Sequence, residues 1–403
     1  MKAVCKFVNF YFFEMKKKRL PPGILPIQFL ILMSYSSLAI LALLPLFFEH
    51  LGGNPREIGF LVGLFSLAAF CTRPFGSWLL SRLNPRKVLI GGFSLILVMT
   101  ALYPFINSLN WFVVFIRIFH GIGFSIAVLA ALLIVVLKVG REERAYAIGV
   151  VSTGFMLPLL IVPYIGEVII YRLGFFYFFL SAIILAVIPF FYALMKKITV
   201  PQFPEDSTVQ SAGFFRLLGR KKMFLIFSLT SIFEVALSSS LSFVPLLAHE
   251  NSLMRAGYYY SFLGLTTVFM RLYAGRHLKF WGSPMLIFPA FCFLSGGGLS
   301  IYLSYNNFLL SLSGIISGIG VGILYPHLSA LIVERVSSRE KGKVLSLFAA
   351  SVDLGFAVGP IAFGWISQSV GLRSAFFLFA LFNFLSSFLL IVWGRSVLFK
   401  RRD

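Results

Sequence analysis

Apolar runs of about 20 residues, enough to cross a bilayer as a helix, recur along the whole chain. They fall roughly at 24–49, 57–80, 86–106, 110–137, 145–170, 174–195, 222–249, 257–278, 284–304, 307–333, 344–370 and 373–394. In lipid every backbone polar group must be satisfied within its own segment, so these runs predict twelve transmembrane helices, here spans 1 to 12. The longest polar break runs from Lys196 to Lys222 and holds Pro201, Pro204, Glu205, Asp206 and the basic cluster Arg216, Arg220, Lys221 and Lys222. Prolines and charges at this density interrupt any spanning helix. The expected organisation is a tail (1–23), a six-helix bundle (24–195), a linker (196–221), a second six-helix bundle (222–395) and a tail (396–403).

The two halves can be laid on one another. Pro45-Leu-Phe-Phe-Glu49-His50 matches Pro245-Leu-Leu-Ala-His249-Glu250 at an offset of 200. Arg73 matches Arg271 at 198, Gly121-Ile-Gly123 matches Gly318-Ile-Gly320 at 197, and Pro163 matches Pro360 at 197. An offset that drifts so little marks a tandem duplication. The fold class is therefore an all-α membrane protein, twelve transmembrane helices in two pseudo-symmetric six-helix bundles, with a site expected between them.

Composition supports this: 59% of residues are hydrophobic and 12% charged, against about 25% charged in a soluble domain. The formal charge of +21 invites a nucleic-acid reading, but its placement opposes one. Of the 35 Lys and Arg, 28 lie in the two tails and the even-numbered loops. Four lie in odd-numbered loops (Arg56, Arg172, Arg255, Arg373) and three lie inside spans (Arg73, Arg117, Arg271). Positive loops stay cytoplasmic, so both termini are expected inside a cytoplasmic (inner) membrane, with anionic lipid headgroups near the basic loops. Cys5, Cys71 and Cys292 form no spaced cluster and suggest neither a disulfide framework nor a metal site. The apolar stretch Phe7–Phe13 is short, ends in Glu14 and lacks a cleavage site, so it is not read as a signal peptide. Met15 before Lys16-Lys17-Lys18-Arg19-Leu20-Pro21 reads as a natural cytoplasmic start.

Charges inside the spans carry the chemistry. An arginine at that depth costs at least ~2.5 kcal/mol and faces a partner or a wet cavity. Glu234 lies about twelve residues into span 7, near the bilayer midplane. It is either a hydrogen-bonded structural carboxyl or a proton carrier, because removal from water favours the protonated form of a carboxyl. Arg117 is read as a cavity residue, with a helix staple as the alternative. His120 lies one turn along the same face and suits either packing or a proton relay. His327 follows Tyr325-Pro326, where proline should kink the helix, and suits either cavity lining or a core imidazole.

The segment Arg73-Pro74-Phe75-Gly76-Ser77-Trp78-Leu79-Leu80-Ser81-Arg82-Leu83-Asn84-Pro85-Arg86-Lys87 is a helix end followed by a tight basic turn, in which Asn84 could adopt a left-handed conformation. It resembles the loop signature of the major facilitator superfamily, Gly-x-x-x-Asp-Arg-x-Gly-Arg-Arg/Lys. Arg82, Arg86 and Lys87 fit; Ser77, Ser81 and Asn84 depart from it. The signature recurs after span 8 from Gly275 to Gly282, with Lys279 in place of its Asp. Arg117 with Gly121 and Gly123 resembles the family's Arg-x-x-x-Gly-x-Gly motif, whose glycines allow close helix approach. Asp353-Leu-Gly355 through Gly359-Pro360, and Pro158 through Pro163 and Gly166, resemble its Gly-x-x-x-Gly-Pro exporter motif. The resemblance covers 24–395 and looks most like the bacterial multidrug and sugar-efflux branches.

The resemblance implies a cavity lined by spans 1, 4, 7 and 10, which makes Tyr35, Ser36, Ser37 and Ser238 to Ser240 candidates beside Arg117, His120, Glu234, Tyr325 and His327. It also places spans 2 and 11 side by side. Arg73 and Asp353 then lie at matching depth and are expected to pair between the bundles, closing the cytoplasmic side. The competing reading bonds each within its own bundle. Proton-coupling candidates are Glu234 and Asp353. Gating candidates are Arg73, Ser81, Arg82, Arg86, Lys87, Arg271, Gly275, Lys279, Asp353, Gly355, Gly359 and Pro360.

No Gly-x-x-x-x-Gly-Lys-Ser/Thr loop is present, so ATP coupling within the chain is not expected. The expectation is a secondary transporter working by alternating access, exporting a small amphipathic or organic compound in exchange for protons. The runner-up is proton-coupled uptake of a small organic anion or sugar. A membrane-embedded lipid enzyme is disfavoured, because Glu142, Glu143, Glu205, Asp206, Glu334 and Glu340 are interleaved with basic residues and show no metal-ligand spacing. No enzyme activity, metal or cofactor is expected. The expected partners are a small molecule, protons and membrane lipid around a monomer.

Overall fold

Asparagine and proline start the helices at the loops. Asn54 accepts from the Glu57 amide while the Glu57 carboxylate accepts from the Asn54 amide, a capping box with Pro55 in the first turn. Asn84 accepts from the Arg86 amide ahead of Pro85, and Asn110 accepts from the Phe112 amide. Asn84 sits at φ −58°, so it is a cap and not the left-handed turn residue that the loop chemistry suggested. Where no cap is available, glycine makes the turn: Gly174 and Gly371, an offset of 197, both adopt positive φ, +89° and +84°.

The structure, a computed structural model, describes residues 24–139, 154–196, 217–252, 254–276, 284–333 and 341–398, with the single residues 151, 198 and 336. Among these described residues, twelve helical segments follow one another. The first six are α1 (Ile24–His50, with a 3-10 turn at Leu41–Leu43), α2 (Pro55–Arg82), α3 (Pro85–Leu102), α4 (Trp111–Lys138), α5 (Val162–Leu173) and α6 (Phe175–Met195). After the break come α7 (Lys221–Glu250), α8 (Ala256–Arg276), α9 (Ile287–Tyr302), α10 (Asn307–Val333), α11 (Lys341–Val370) and α12 (Leu372–Leu398). Among the described residues, nine helices are long and apolar enough to cross a membrane unaided. The other three are α5, α8 and α9. The described part of α5 begins later than the predicted span, after a 3-10 turn at Leu157–Leu160, and residues 140–150 lie outside the described residues. Most of the linker, including 199–216, lies outside them too.

The halves pack alike. In the first, α2 and α3 pack on α4, α3 on α6 and α1 on α6; in the second, α8 and α9 pack on α10, α9 on α12 and α7 on α12. The duplicated glycines do the same work twice. A Cβ on Gly121 would stand 2.1 Å from the Phe65 carbonyl oxygen, and one on Gly318 would stand 2.8 Å from that of Leu263. Gly123 abuts the Gly92 carbonyl as Gly320 abuts that of Ala290. Phe65 and Leu263, like Gly92 and Ala290, are 198 residues apart, so contact partners follow the register of Arg73 and Arg271, within one residue of the glycine motif's 197.

Between the bundles, α2 lies along α11, α5 against α8, and the second half of α1 against α7. The end of α1, start of α2, end of α5, end of α7, start of α8 and end of α11 all meet on the face that carries the odd-numbered loops, here the odd-loop face.

Candidate functional site

Six side chains from six helices and both bundles share the middle of the molecule: Tyr35 (α1), Arg73 (α2), Glu234 (α7), Arg271 (α8), Tyr325 (α10) and Asp353 (α11). Tyr35 lies within electrostatic reach of Tyr325, Asp353, Arg73 and Glu234, and Tyr325 within reach of Arg271, Glu234, Arg73 and Asp353. Arg73 donates from Nε to Asp353 Oδ2, an ion pair that joins the two bundles. Glu234 is 2% exposed and lies within electrostatic reach of Arg271 and Asp353. Its Oε2, and Nε and Nη2 of Arg271, are buried without hydrogen-bond partners among the described residues. The Arg271 guanidinium lies 5.0 Å from the centre of the Tyr325 ring. Tyr35, Arg271 and Tyr325 are half-buried. Aromatic rings wall the cluster, with Phe155 4.3 Å and Phe124 5.6 Å from Tyr35, and Phe348 5.3 Å from Tyr325.

Several expected site residues are placed elsewhere. Arg117 is not a cavity cation. It donates from Nε to Leu61 O (2.8 Å), from Nη2 to Val62 O (2.9 Å) and from Nη1 to the Tyr103 hydroxyl (3.2 Å), with Phe65 under its guanidinium. It staples α4 to α2, the alternative the sequence left open. His120 is fully buried, with Nδ1 3.3 Å from the same Tyr103 hydroxyl, Nε2 unpartnered among the described residues and its ring edge-on to Phe65, surroundings that favour packing. Ser36 bonds back to Leu32 O within its own helix, and Ser37 reaches Ala182 O of α6. Ser238 is buried and meets the Gly355 carbonyl, tying α7 to α11. Buried His327 has Nδ1 2.8 Å from the Ile323 carbonyl of its own helix.

The gating set divides as well. Arg86 donates to the carbonyls of Ala193 and Leu194, capping the end of α6 within its own bundle. Arg82 and Lys87 are exposed, Arg82 beside the Trp78 ring. Gly355 and Gly359 face α7 of their own bundle, where added Cβ atoms would meet Glu234 Cβ at 2.5 Å and Ser238 Oγ at 2.2 Å. Helical phase turns them away from the interface, whereas the Pro360 carbonyl does face α2. Arg271 belongs to the central cluster and makes no ion pair among the described residues. The side chain of Ser81, the surroundings of Gly275 and all of Lys279 lie outside the described residues.

The odd-loop face holds contacts that sequence reasoning missed. Across α2 and α11, a Cβ on Gly59 would stand 2.2 Å from Pro360 O, one on Gly63 2.5 Å from Ala357 O, and one on Gly364 2.4 Å from Pro55 O. Across α5 and α8, the buried Glu167 carboxylate accepts from the amides of Ala256 (2.9 Å) and Gly257 (2.8 Å), closing the N-terminus of α8 from the other bundle. Arg56 stacks on Trp365 and Arg255 on Tyr171. Glu49 meets His249 at 2.8 Å. The repeat had already aligned Glu49 with His249, and matched positions meet beside a pseudo-two-fold axis, so this last pair had a signal in the sequence. Thus two of the four arginines that break the charge rule, Arg56 and Arg255, brace the bundles together.

Two six-helix bundles with buried charge at their interface define a secondary transporter rather than a catalytic enzyme. The sequence profile of the Major Facilitator Superfamily matches residues 24–307 and 284–400, and the chain belongs to that superfamily. It is 24% identical to the staphylopine export protein of Staphylococcus aureus over 373 residues, 87% of this chain and 90% of that protein. It is also 24% identical to the multi-drug resistance efflux pump PmrA of Streptococcus pneumoniae over 362 residues, 84% of this chain and 87% of that one. The crystal structure of a POT family transporter in complex with 5-aminolevulinic acid superposes with a TM-score of 0.79 at 13% identity, covering 94% of this chain and 97% of that one. That likeness concerns the fold.

Proposed function

We propose that the protein is a proton-coupled exporter of a small organic compound, with Glu234 as the proton-carrying group. The observation that carries this reading is Glu234 itself, a carboxyl buried near the middle of α7 with Oε2 unpartnered and with Arg271, Asp353, Tyr35 and Tyr325 around it. Most buried side-chain polar atoms are hydrogen-bonded, so an unpartnered carboxyl oxygen set among other charges favours a working role. A carboxyl kept partly free at a bundle interface can gain and lose a proton as the interface opens and closes. Export is favoured by the names of the relatives, an export protein and an efflux pump.

The basic even-numbered loops assign the even-loop face to the cytoplasm. The odd-loop face, closed here by its glycine contacts and the Glu167 cap, then faces outside. The Arg73–Asp353 pair, expected to form when the cytoplasmic side closes, is formed here as well. In whole cells, an impermeant maleimide is expected to label Asn54→Cys and to miss Gln210→Cys in a cysteine-free background. The opposite labelling would invert the topology.

In proteoliposomes with an imposed pH gradient and an internal pH dye, cargo-induced proton flux and uphill cargo movement are expected for the wild type. Glu234→Gln is expected to abolish both, a loss of at least about tenfold in rate, while melting of the purified protein changes little. A variant that still moves cargo uphill on a pH gradient would reduce Glu234 to a packing residue.

A further inference from the structure

Among the described residues, one arginine of the duplicated pair lacks the partner its twin possesses. Arg73 and Arg271 are equivalent at an offset of 198, and Arg73 gives its Nε edge to Asp353. At the offsets of 197 and 198 that relate the halves, the counterpart of Asp353 falls on Met156 or Phe155, neither of which carries a carboxylate. The corresponding edge of Arg271, its Nε and Nη2, is buried and unpartnered among the described residues. These two nitrogens form the side-on fork of a guanidinium, whose parallel N–H groups match the two oxygens of a carboxylate. An arginine held at membrane depth with that fork empty carries a standing cost, which a bound anion would relieve.

We infer that Arg271 receives the carboxylate of the transported compound, which takes the place of the aspartate missing from the second half, and that the cargo is an amino-carboxylate whose ammonium faces Glu234. The second part follows from the neighbours. Glu234 acts on Arg271 electrostatically and has its own unpartnered oxygen. A purely anionic cargo would meet repulsion from ionised Glu234, and a purely cationic one would meet repulsion from Arg271. A compound with both charges satisfies both halves of the site. Tyr35 and Tyr325, half-buried beside it, offer apolar ring faces for the remaining body. The inference rests on the central site proposed above and names the class of compound it takes. It also gives exchange a physical basis, since a proton and the cargo ammonium would compete for one carboxylate.

The test is equilibrium binding to the purified full-length protein in nanodiscs, by thermal shift and calorimetry. The probes are matched sets: aromatic and aliphatic amino acids, their amides, their deaminated acids, the corresponding amines, and phosphate monoesters. Amino acids are expected to bind, and each analogue lacking one charge to bind at least about tenfold more weakly. Arg271→Lys keeps the charge and removes the fork. It is expected to melt like the wild type without ligand and to lose at least about tenfold in amino-acid affinity, whereas Arg271→Met is expected to bind none of them. The proposal is overturned if amines, amides or phosphate monoesters bind as tightly as the amino acids, if Arg271→Lys binds them unchanged, or if no carboxylate binds at all. No pH gradient is applied, so a failure of proton coupling at Glu234 and a failure of carboxylate binding at Arg271 are separate results.

Discussion

Removing one partner of the Arg73–Asp353 pair is expected to harm the protein more than removing both. The two side chains are 15% and 9% exposed, join α2 to α11, and lie deeper than the glycine contacts that seal the odd-loop face. Breaking a buried ion pair by deleting one member leaves a charge without compensation and costs about 3–5 kcal/mol. Partial exposure puts this pair near the lower end. Asp353→Leu, which strands Arg73 beside Tyr35, and Arg73→Met, which strands Asp353 close to Glu234, should each lower the melting temperature and abolish transport. Arg73→Met with Asp353→Leu replaces both charges by apolar groups of similar size and should recover most of the lost stability. The measurement is a double-mutant cycle on thermal unfolding in detergent, with initial transport rates alongside. A pair that latches the bundles gives a coupling of about 2 kcal/mol or more. Additive losses would mean that each charge is satisfied inside its own bundle and that their meeting across α2 and α11 has no energetic weight.

The matching depth of this pair is legible in the amino-acid sequence, because depth along a helix can be counted at 1.5 Å per residue, whereas the adjacency of spans 2 and 11 comes from the family resemblance. Twelve helices, two halves and the buried position of Glu234 are legible for the same reason: length, repetition and depth are one-dimensional properties. Azimuth is not. Arg117 has the depth of a cavity residue, yet its partners are the Leu61 and Val62 carbonyls and the Tyr103 hydroxyl, and no residue letter announces which helical carbonyl takes a second donor. Gly355 and Gly359 stand in a motif on an interfacial helix, but they point at α7. Conversely, Gly59, Gly63 and Gly364 read as ordinary small residues in apolar sequence. The repeat groups Arg271 with Arg73. That the Nε edge of Arg271 has no partner among the described residues is visible only in the structure.

Those interfacial glycines lead to the second large effect. Gly59→Val should leave each bundle folded and prevent the odd-loop face from closing. The added Cβ would stand 2.2 Å from the Pro360 carbonyl oxygen and in contact with the Gly364 Cα at 3.1 Å. Both are backbone atoms of a helix, so no side chain can swing aside. Overpacking of this kind costs about 1–3 kcal/mol or more, and it is imposed only in the conformation where α2 and α11 touch at this face. Alternating conformers differ by a few kcal/mol, so the penalty is enough to reverse their populations. A reporter Ile361→Cys, packed against Gly63 when the face is closed, should react with an odd-loop-side maleimide at least about tenfold faster in the Gly59→Val background, and transport should stop. Gly355→Ala supplies the contrast. Its clash with Glu234 Cβ and Ser231 O lies inside the second bundle, so it should lower the melting temperature without raising the labelling of Ile361→Cys. If Gly59→Val instead melts early with unchanged labelling, α2 and α11 form a fixed seam and the bundles must pivot elsewhere. If it transports normally, closure of this face is not part of the cycle.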